Sequence, residues 1–281
     1  MILDGRPIAQ KLESNIAREA LEFQKNYGIK ASLHIIVIGN DDVANLYAET
    51  TLNKLKALNM DGGIHRFPES TSEKDVTDFI KKLSSKKEVH GIIVNAPVPK
   101  NFDLRAILSS IYSEKDVDGQ NPYNLGMLML GAEEHAPATP KSIVRILEEY
   151  KVQLSGKKVC IINRSPVVGK PLAMLLLNRD ATVNICHTKT EDLPSLSRSS
   201  DIVVVAVGKP MFLKEHMVAE NSVVIDVGIN KYNGKIVGDA DFENLVKKVS
   251  MITPVPGGVG SLQTVMIIEQ TLKNAQKLMQ R

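Results

Sequence analysis

Few of the signatures that classify a chain quickly are present here. Only two cysteines occur, Cys160 and Cys186, both inside strand-like runs. Two are too few for a disulfide framework or a cysteine-rich zinc site, and each is expected to be a buried thiol. No metal site is expected elsewhere. Aromatic residues make up 4% of the chain, no long Lys/Arg block occurs, and the formal charge is only +3. That combination argues against a nucleic-acid partner. The longest apolar runs, such as Ile202 to Val207, are far too short to cross a bilayer. Met1 to Pro7 offers neither a basic n-region nor an apolar h-region, so a cytoplasmic protein without a secretion signal is expected.

What is present is ordinary in amount and specific in order. The chain has 281 residues, 43% of them hydrophobic and 24% charged, enough for one large or two moderate domains with a real core. Helical and strand patterns alternate. Ile8, Leu12, Ile16, Ala20 and Phe23 recur at helical spacing from Pro7 to about Tyr27. Ser32 to Ile38 reads as a strand, 43–58 as a helix, 72–83 as a helix opened by a Ser-x-x-Asp cap, and 89–94 as a strand. From Ser113 to Thr139 the pattern predicts an irregular stretch. A second series then follows: strands at 157–162, 182–186, 202–207 and 223–227, with a helix at 169–177. Short apolar strands alternating with helices imply an α/β fold with parallel sheets. Two lobes are expected, residues 1–140 and a Rossmann-like, doubly wound unit at 141–258. The last helix, 259–278, returns to the first lobe, which residues 259–281 complete.

The segment Ile252-Thr253-Pro254-Val255-Pro256-Gly257-Gly258-Val259-Gly260 fits neither a helix nor a strand interior. It reads as a shaped loop opening a helix, with backbone N–H groups that a flat or anionic ligand could approach. A structural turn accounts for the same composition.

The first strand of the second lobe runs into Asn163-Arg164-Ser165-Pro166-Val167-Val168-Gly169. A doubly wound fold binds dinucleotide phosphate at such a turn, although only Gly169 remains of the usual three glycines. Spacing alone leaves a plain strand-to-helix turn open. The next strand ends in Cys186-His187-Thr188-Lys189-Thr190, with no acid before Glu191. An acid there would hold a ribose 2′-hydroxyl, whereas hydroxyl and basic groups, with Arg164 across the turn, suit a 2′-phosphate. NADP is favoured over NAD. For His187 a backbone-bonded imidazole is preferred to direct catalysis.

These blocks, together with Asp4-Gly5-Arg6, Lys115-Asp116-Val117-Asp118-Gly119, Pro137 to Lys141 and Pro254 to Gly260, resemble the methylenetetrahydrofolate dehydrogenase/cyclohydrolase family. They follow the family's order and spacing over essentially the whole chain. The resemblance implies a homodimer that oxidises 5,10-methylenetetrahydrofolate with NADP in one-carbon metabolism, with hydrolysis of the methenyl product to 10-formyltetrahydrofolate in many members. It also implies a folate lobe at 1–140 and an NADP lobe at 141–258. It further implies that Tyr47 packs on the folate ring and Asp118 binds the pterin's N–H edge. Pro256, Gly257 and Gly258 would line the substrate site. Asn163, Arg164, Ser165, Gly169, His187, Thr188 and Ile229 fall at cofactor-binding positions. Taken alone, Tyr47 equally reads as a helix-surface tyrosine, and Asp118 as an Asx-type turn before Gly119.

The departures are specific. Thr51 replaces the family's lysine one helical turn after Tyr47, and Asn95 replaces its glutamine. Asn163 replaces a glycine, and Ser261-Leu262-Gln263 replaces Pro-Met-Thr. Tyr47, Thr51, Asn95 and Asp118 therefore form the expected catalytic set, with hydrolysis weakened or lost. Lys54, two helical turns from Tyr47, has a flexible stem that could partly reach, and a solvated surface role is preferred for it. Lys54, Lys56 and Arg66 are weak candidates for meeting a polyglutamate tail. Two other readings stay open: an NADP-dependent dehydrogenase of a modified pterin, and a catalytically silent NADP-binding protein.

Overall fold

The structure, a computed structural model, describes residues 1–280. In chain order the elements are α1 (Arg6–Tyr27), β1 (Ser32–Ile38), α2 (Asp42–Ala57), β2 (Asp61–Phe67), α3 (Glu73–Ser84), β3 (Gly91–Val94), α4 (Leu104–Ser109) and α5 (Pro122–Met129). They continue as α6 (Ala138–Glu149), β4 (Lys158–Ile162), α7 (Gly169–Leu177), β5 (Thr182–Cys186), α8 (Leu193–Arg198), β6 (Ile202–Val205) and β7 (Val223–Asp226). The chain closes with β8 (Asn230–Tyr232), β9 (Lys235–Val237), α9 (Phe242–Leu245), β10 (Met251–Ile252) and α10 (Gly260–Leu278). Two compact units result. One holds Met1–Gln10 and Pro137–Gln263, the other Lys11–Ala136 and Thr264–Arg281.

In the Lys11–Ala136 unit a parallel sheet runs β2-β1-β3. Its central strand is wholly apolar from Ile35 to Ile38, each residue fully buried, and each such side chain contributes roughly 1.5–3 kcal/mol. Helix α2 packs on β1 and β2. Helix α3 starts where Ser72 Oγ accepts from the Asp75 N–H at 3.1 Å, and it buries Val76, Ile80 and Leu83.

The other unit carries a five-stranded, all-parallel sheet ordered β10-β7-β6-β4-β5, the doubly wound arrangement expected of 141–258. Helix α7 packs on β4 and β5, with α6 against it. Cys160 and Cys186 are buried free thiols in the core of this unit, their sulfurs 3.6 Å apart. No helix of the described residues is long and apolar enough to cross a membrane.

Several local readings need correction. The stretch from Ser113 to Thr139 contains α5, a short helix whose first turn is capped by Asn121 Oδ1 accepting from the Tyr123 N–H at 2.8 Å. Its eight residues are too few to display a helical stripe. Strand β2 went unread because Gly62-Gly63 looks like a turn. A Cβ on Gly62 would lie 2.0 Å from the Leu33 carbonyl oxygen, so glycine is there for close strand approach. Residues 1–10 were expected with residues 11–140 but cluster with the doubly wound unit. The Leu3 N–H donates to the Ile252 carbonyl and the Gly5 N–H to the Gly257 carbonyl, each at 2.8 Å, and these bonds hold them there.

Candidate active site

In the doubly wound unit a cavity of about 310 Å³ opens past the carboxyl ends of β7 and β10. It is lined by Asp226 to Ile229, Ile236 and Pro254 to Ser261. Carboxyl ends of parallel strands are where such sheets bind ligands. Pro256, Gly257, Gly258 and Ile229 all meet in this cavity, with Ile229 largely exposed. The Pro-Gly-Gly loop is held from behind by the Asp4-Gly5-Arg6 motif. A Cβ on Gly5 would lie 2.4 Å from the Gly258 carbonyl oxygen, and Arg6 pairs with Asp4 at 2.6 Å. The motif's glycine therefore serves close backbone approach.

The cavity floor depends on two buried acids that sequence reading missed. Asp226 accepts from the N–H groups of Gly228 (2.9 Å), Asp239 (2.9 Å) and Ala240 (2.8 Å). Burial pushes its carboxyl up to about 6, against the three N–H bonds and with a smaller push from Asp239. Asp239 accepts from the N–H groups of Val207, Gly208 and Lys209 and from Asn230 Nδ2, shaping the loop after β6. The signal available was positional: each acid follows or precedes a glycine that a Cβ would drive into a carboxylate.

At the end of β4 the structure brings Asn163, Ser165 and Gly169 together. Asn163 Oδ1 accepts from the N–H groups of Ser165 (2.8 Å) and Gly169 (3.0 Å), and its Nδ2 donates to the Ala206 carbonyl at 2.6 Å. Ser165 Oγ accepts from the Val168 N–H at 3.0 Å. The turn thus caps α7 with its own side chains. Arg164 is exposed beside it. At the end of β5, His187 Nδ1 accepts from the Lys189 N–H at 3.1 Å and the His187 N–H donates to Thr190 Oγ1 at 2.8 Å. This is the backbone-bonded imidazole preferred from sequence. Thr188 and Lys189 are exposed, with no acid before Glu191. These groups fit a phosphorylated ribose rather than a bare one.

The other unit assembles the second set. Tyr47 lies on α2, its hydroxyl 3.2 Å from Thr264 Oγ1. Burial raises the phenol pKa, and the Asp118 charge adds to that rise. Asp118 sits between two anchors. Before it, fully buried Asp116 accepts from the Asn121 N–H (2.8 Å) and Asn124 Nδ2 (2.9 Å). After it, Gly119 has φ +68°, and a Cβ there would lie 2.4 Å from the His135 carbonyl oxygen. Gln120 Nε2 donates to Asp118 Oδ2.

The two departures beside Tyr47 are structurally defined. Thr51 is fully buried and its Oγ1 has no hydrogen-bond partner. Asn95 is buried with Nδ2 donating to the Ala44 carbonyl at 3.0 Å, so its amide ties β3 to the first turn of α2. Lys54 is partly exposed and pairs with Glu13 at 2.5 Å. Arg66 pairs with Glu49, also at 2.5 Å.

A doubly wound unit and a second α/β unit bearing a tyrosine and a carboxylate, carried on one chain, define a class of dinucleotide-dependent enzymes. Residues 3–118 match the family model for the tetrahydrofolate dehydrogenase/cyclohydrolase catalytic domain, and residues 137–279 match that family's NAD(P)-binding domain. The bifunctional protein FolD of Nitratiruptor sp. is 42% identical over 276 residues, 98% of each chain. The crystal structure of the bifunctional 5,10-methylenetetrahydrofolate dehydrogenase/cyclohydrolase from Thermoplasma acidophilum is 42% identical, covers 100% of both chains and superposes with a TM-score of 0.92. The Trypanosoma brucei FolD structure, complexed with NADP and an inhibitor, is 29% identical with a TM-score of 0.94, covering 100% of this chain and 99% of that one. The chain belongs to the tetrahydrofolate dehydrogenase/cyclohydrolase family.

Proposed function

We propose that this protein oxidises 5,10-methylenetetrahydrofolate to the 5,10-methenyl form with NADP, and that hydrolysis to 10-formyltetrahydrofolate is weakened or lost. The observation carrying the second half is Thr51, a fully buried threonine with an unpartnered hydroxyl one helical turn after Tyr47. In the doubly wound unit, Arg164, His187 and Thr188 would meet the cofactor's phosphorylated ribose, and Ile229 would lie by the nicotinamide. Bound there, NADP would supply the hydride acceptor. In the other unit Asp118 offers two acceptor oxygens to the pterin's N–H edge, and Tyr47 packs its ring on the substrate. Pro256, Gly257 and Gly258 offer a backbone wall for the substrate.

Oxidation asks little acid–base chemistry of the protein. A ring nitrogen lone pair expels hydride from the bridge carbon, and the charge spreads over the resulting amidinium. Positioning is the main contribution. Hydrolysis adds water to that amidinium and moves protons to the leaving nitrogen, which calls for a titratable partner. Thr51 offers only a hydroxyl, Asn95 donates to backbone, and Lys54 is held by Glu13. The enzyme would act in the cytoplasm and, as the resemblance implies, as a homodimer.

Two assays test this. Methylene-dependent reduction of NADP should exceed that of NAD. Loss of methenyltetrahydrofolate without nucleotide should barely exceed the spontaneous rate, and Thr51→Lys with Asn95→Gln should raise it on the order of tenfold or more. A robust wild-type hydrolysis rate would overturn the second half and leave the first standing.

A further inference from the structure

The hydroxyl of Tyr47 is contacted from α10 by a residue 217 positions away. We propose that Thr264 is the positioning residue for Tyr47, its Oγ1–H donating to the phenol oxygen and fixing the direction of the phenol's own proton. This rests on the reading of Tyr47 as a substrate-facing residue.

The contrast within α10 makes the case. Threonine in a helix ordinarily returns its hydroxyl to the carbonyl one turn back. Thr271 does so, donating to the Ile267 carbonyl at 2.9 Å. Thr264 instead turns its hydroxyl to Tyr47, at 3.2 Å. A phenol has one proton to give and two lone pairs. Once one lone pair accepts from Thr264, the C–O–H rotor is biased and the proton points elsewhere.

The alternative partner on the tyrosine's own helix does not take this place. Thr51 Oγ1 is fully buried and makes no hydrogen bond. Burial raises the Tyr47 pKa and keeps the phenol protonated near neutral pH. With threonine where the family carries lysine, the phenol oxygen is satisfied from α10 rather than from α2. The consequence is a tyrosine held as a neutral, oriented donor, suited to seating a substrate and poorly suited to relaying protons.

The test is a double-mutant cycle in the full-length protein, measuring methylenetetrahydrofolate oxidation with saturating NADP. Thr264→Val keeps the shape and removes the donor. It is expected to lower kcat about three- to tenfold, the loss of one hydrogen bond, while the KM for NADP stays put. Thr264→Ser should restore the rate to within about twofold, since the hydroxyl returns. In a Tyr47→Phe background, Thr264→Val should cost nothing further. A readout independent of turnover is the alkaline tyrosinate absorbance. The transition that Tyr47→Phe deletes should move to higher pH in Thr264→Val, because a donor stabilising the phenolate is gone.

Undiminished activity in Thr264→Val alongside an impaired Tyr47→Phe would overturn this inference and leave the site reading intact. Losses that multiply in the double variant would also overturn it, since Thr264 would then act elsewhere. An unimpaired Tyr47→Phe would overturn this inference, since the hydroxyl would then be idle, and leave the packing of the ring on the substrate standing.

Discussion

The side chain of Asn163 donates to the carbonyl oxygen of Ala206 at 2.6 Å, tying the end of β4 to the end of β6. These neighbouring strands lead out in opposite directions, β4 to β5 on one side and β6 to β7 on the other. They therefore border the switch point where doubly wound sheets hold their nucleotides. The other end of the same amide takes the N–H groups of Ser165 and Gly169. A residue that looks from sequence like a lost glycine is thus a three-way tie.

Asn163→Ala should remove all three bonds and leave two N–H groups near the start of α7 without their acceptor. The expected cost is about 1–3 kcal/mol of unfolding free energy, read as a lower urea midpoint. Binding of NADP, followed by calorimetry, should weaken in parallel. An unchanged midpoint with unchanged affinity would show that the tie is dispensable.

Lys54 should be irrelevant to catalysis. Its ammonium sits 2.5 Å from Glu13, and both side chains are about one-third exposed or less. A pair this close to solvent contributes about 0–1 kcal/mol. Lys54→Ala should leave the oxidation rate unchanged and move the urea midpoint little. A large drop in hydrolysis of methenyltetrahydrofolate would instead make this lysine the missing proton carrier.

Acid sensitivity should arise at His90. The ring is fully buried, with Nδ1 accepting from the Ser32 N–H at 3.0 Å and Nε2 without a hydrogen-bond partner. Burial, helped by the Lys115 charge, lowers its pKa from 6.5 to about 4. Because the folded state resists the proton, the unfolded chain binds more protons between these two values. Stability is then full above pH 6.5 and falls as pH drops toward 4, by about 2–3 kcal/mol for this group. His34, lowered to about 4 by burial and His65, acts in the same direction. Asp226 acts oppositely. Raised from 3.8 to about 6, it removes stability as pH rises through that window. Urea titrations at stepped pH should show a net loss on acidification, and His90→Asn should flatten part of it. A wild-type profile flat from pH 7 to 4 would contradict the assignment.

Much of the frame was legible. Helix α7 and strand β5 were read to the residue, because Leu172, Leu175 and Leu176 form a stripe and Thr182 to Cys186 is bounded by a turn. The parallel, two-unit architecture followed from short apolar strands alternating with helices. Two of the unread pieces have separate causes. Strand β2 is an edge strand whose glycines answer to Leu33 rather than to local propensity, and α5 is too short to show a period.

Local chemistry written in the chain determined the alternating units, the Pro-Gly-Gly loop, the acid-free end of β5 and the absence of lysine at position 51. These depend on residue type and near-neighbour spacing, which a sequence displays. Only the tertiary structure decided where the polar groups turn. It set Thr264 on Tyr47, Asn163 on Ala206, Gly5 behind Gly258, and Asp239 beneath the loop after β6. Each of those contacts joins residues far apart in the chain, so which hydroxyl, amide or carboxylate meets which partner is settled by packing and by the need to satisfy buried polar atoms.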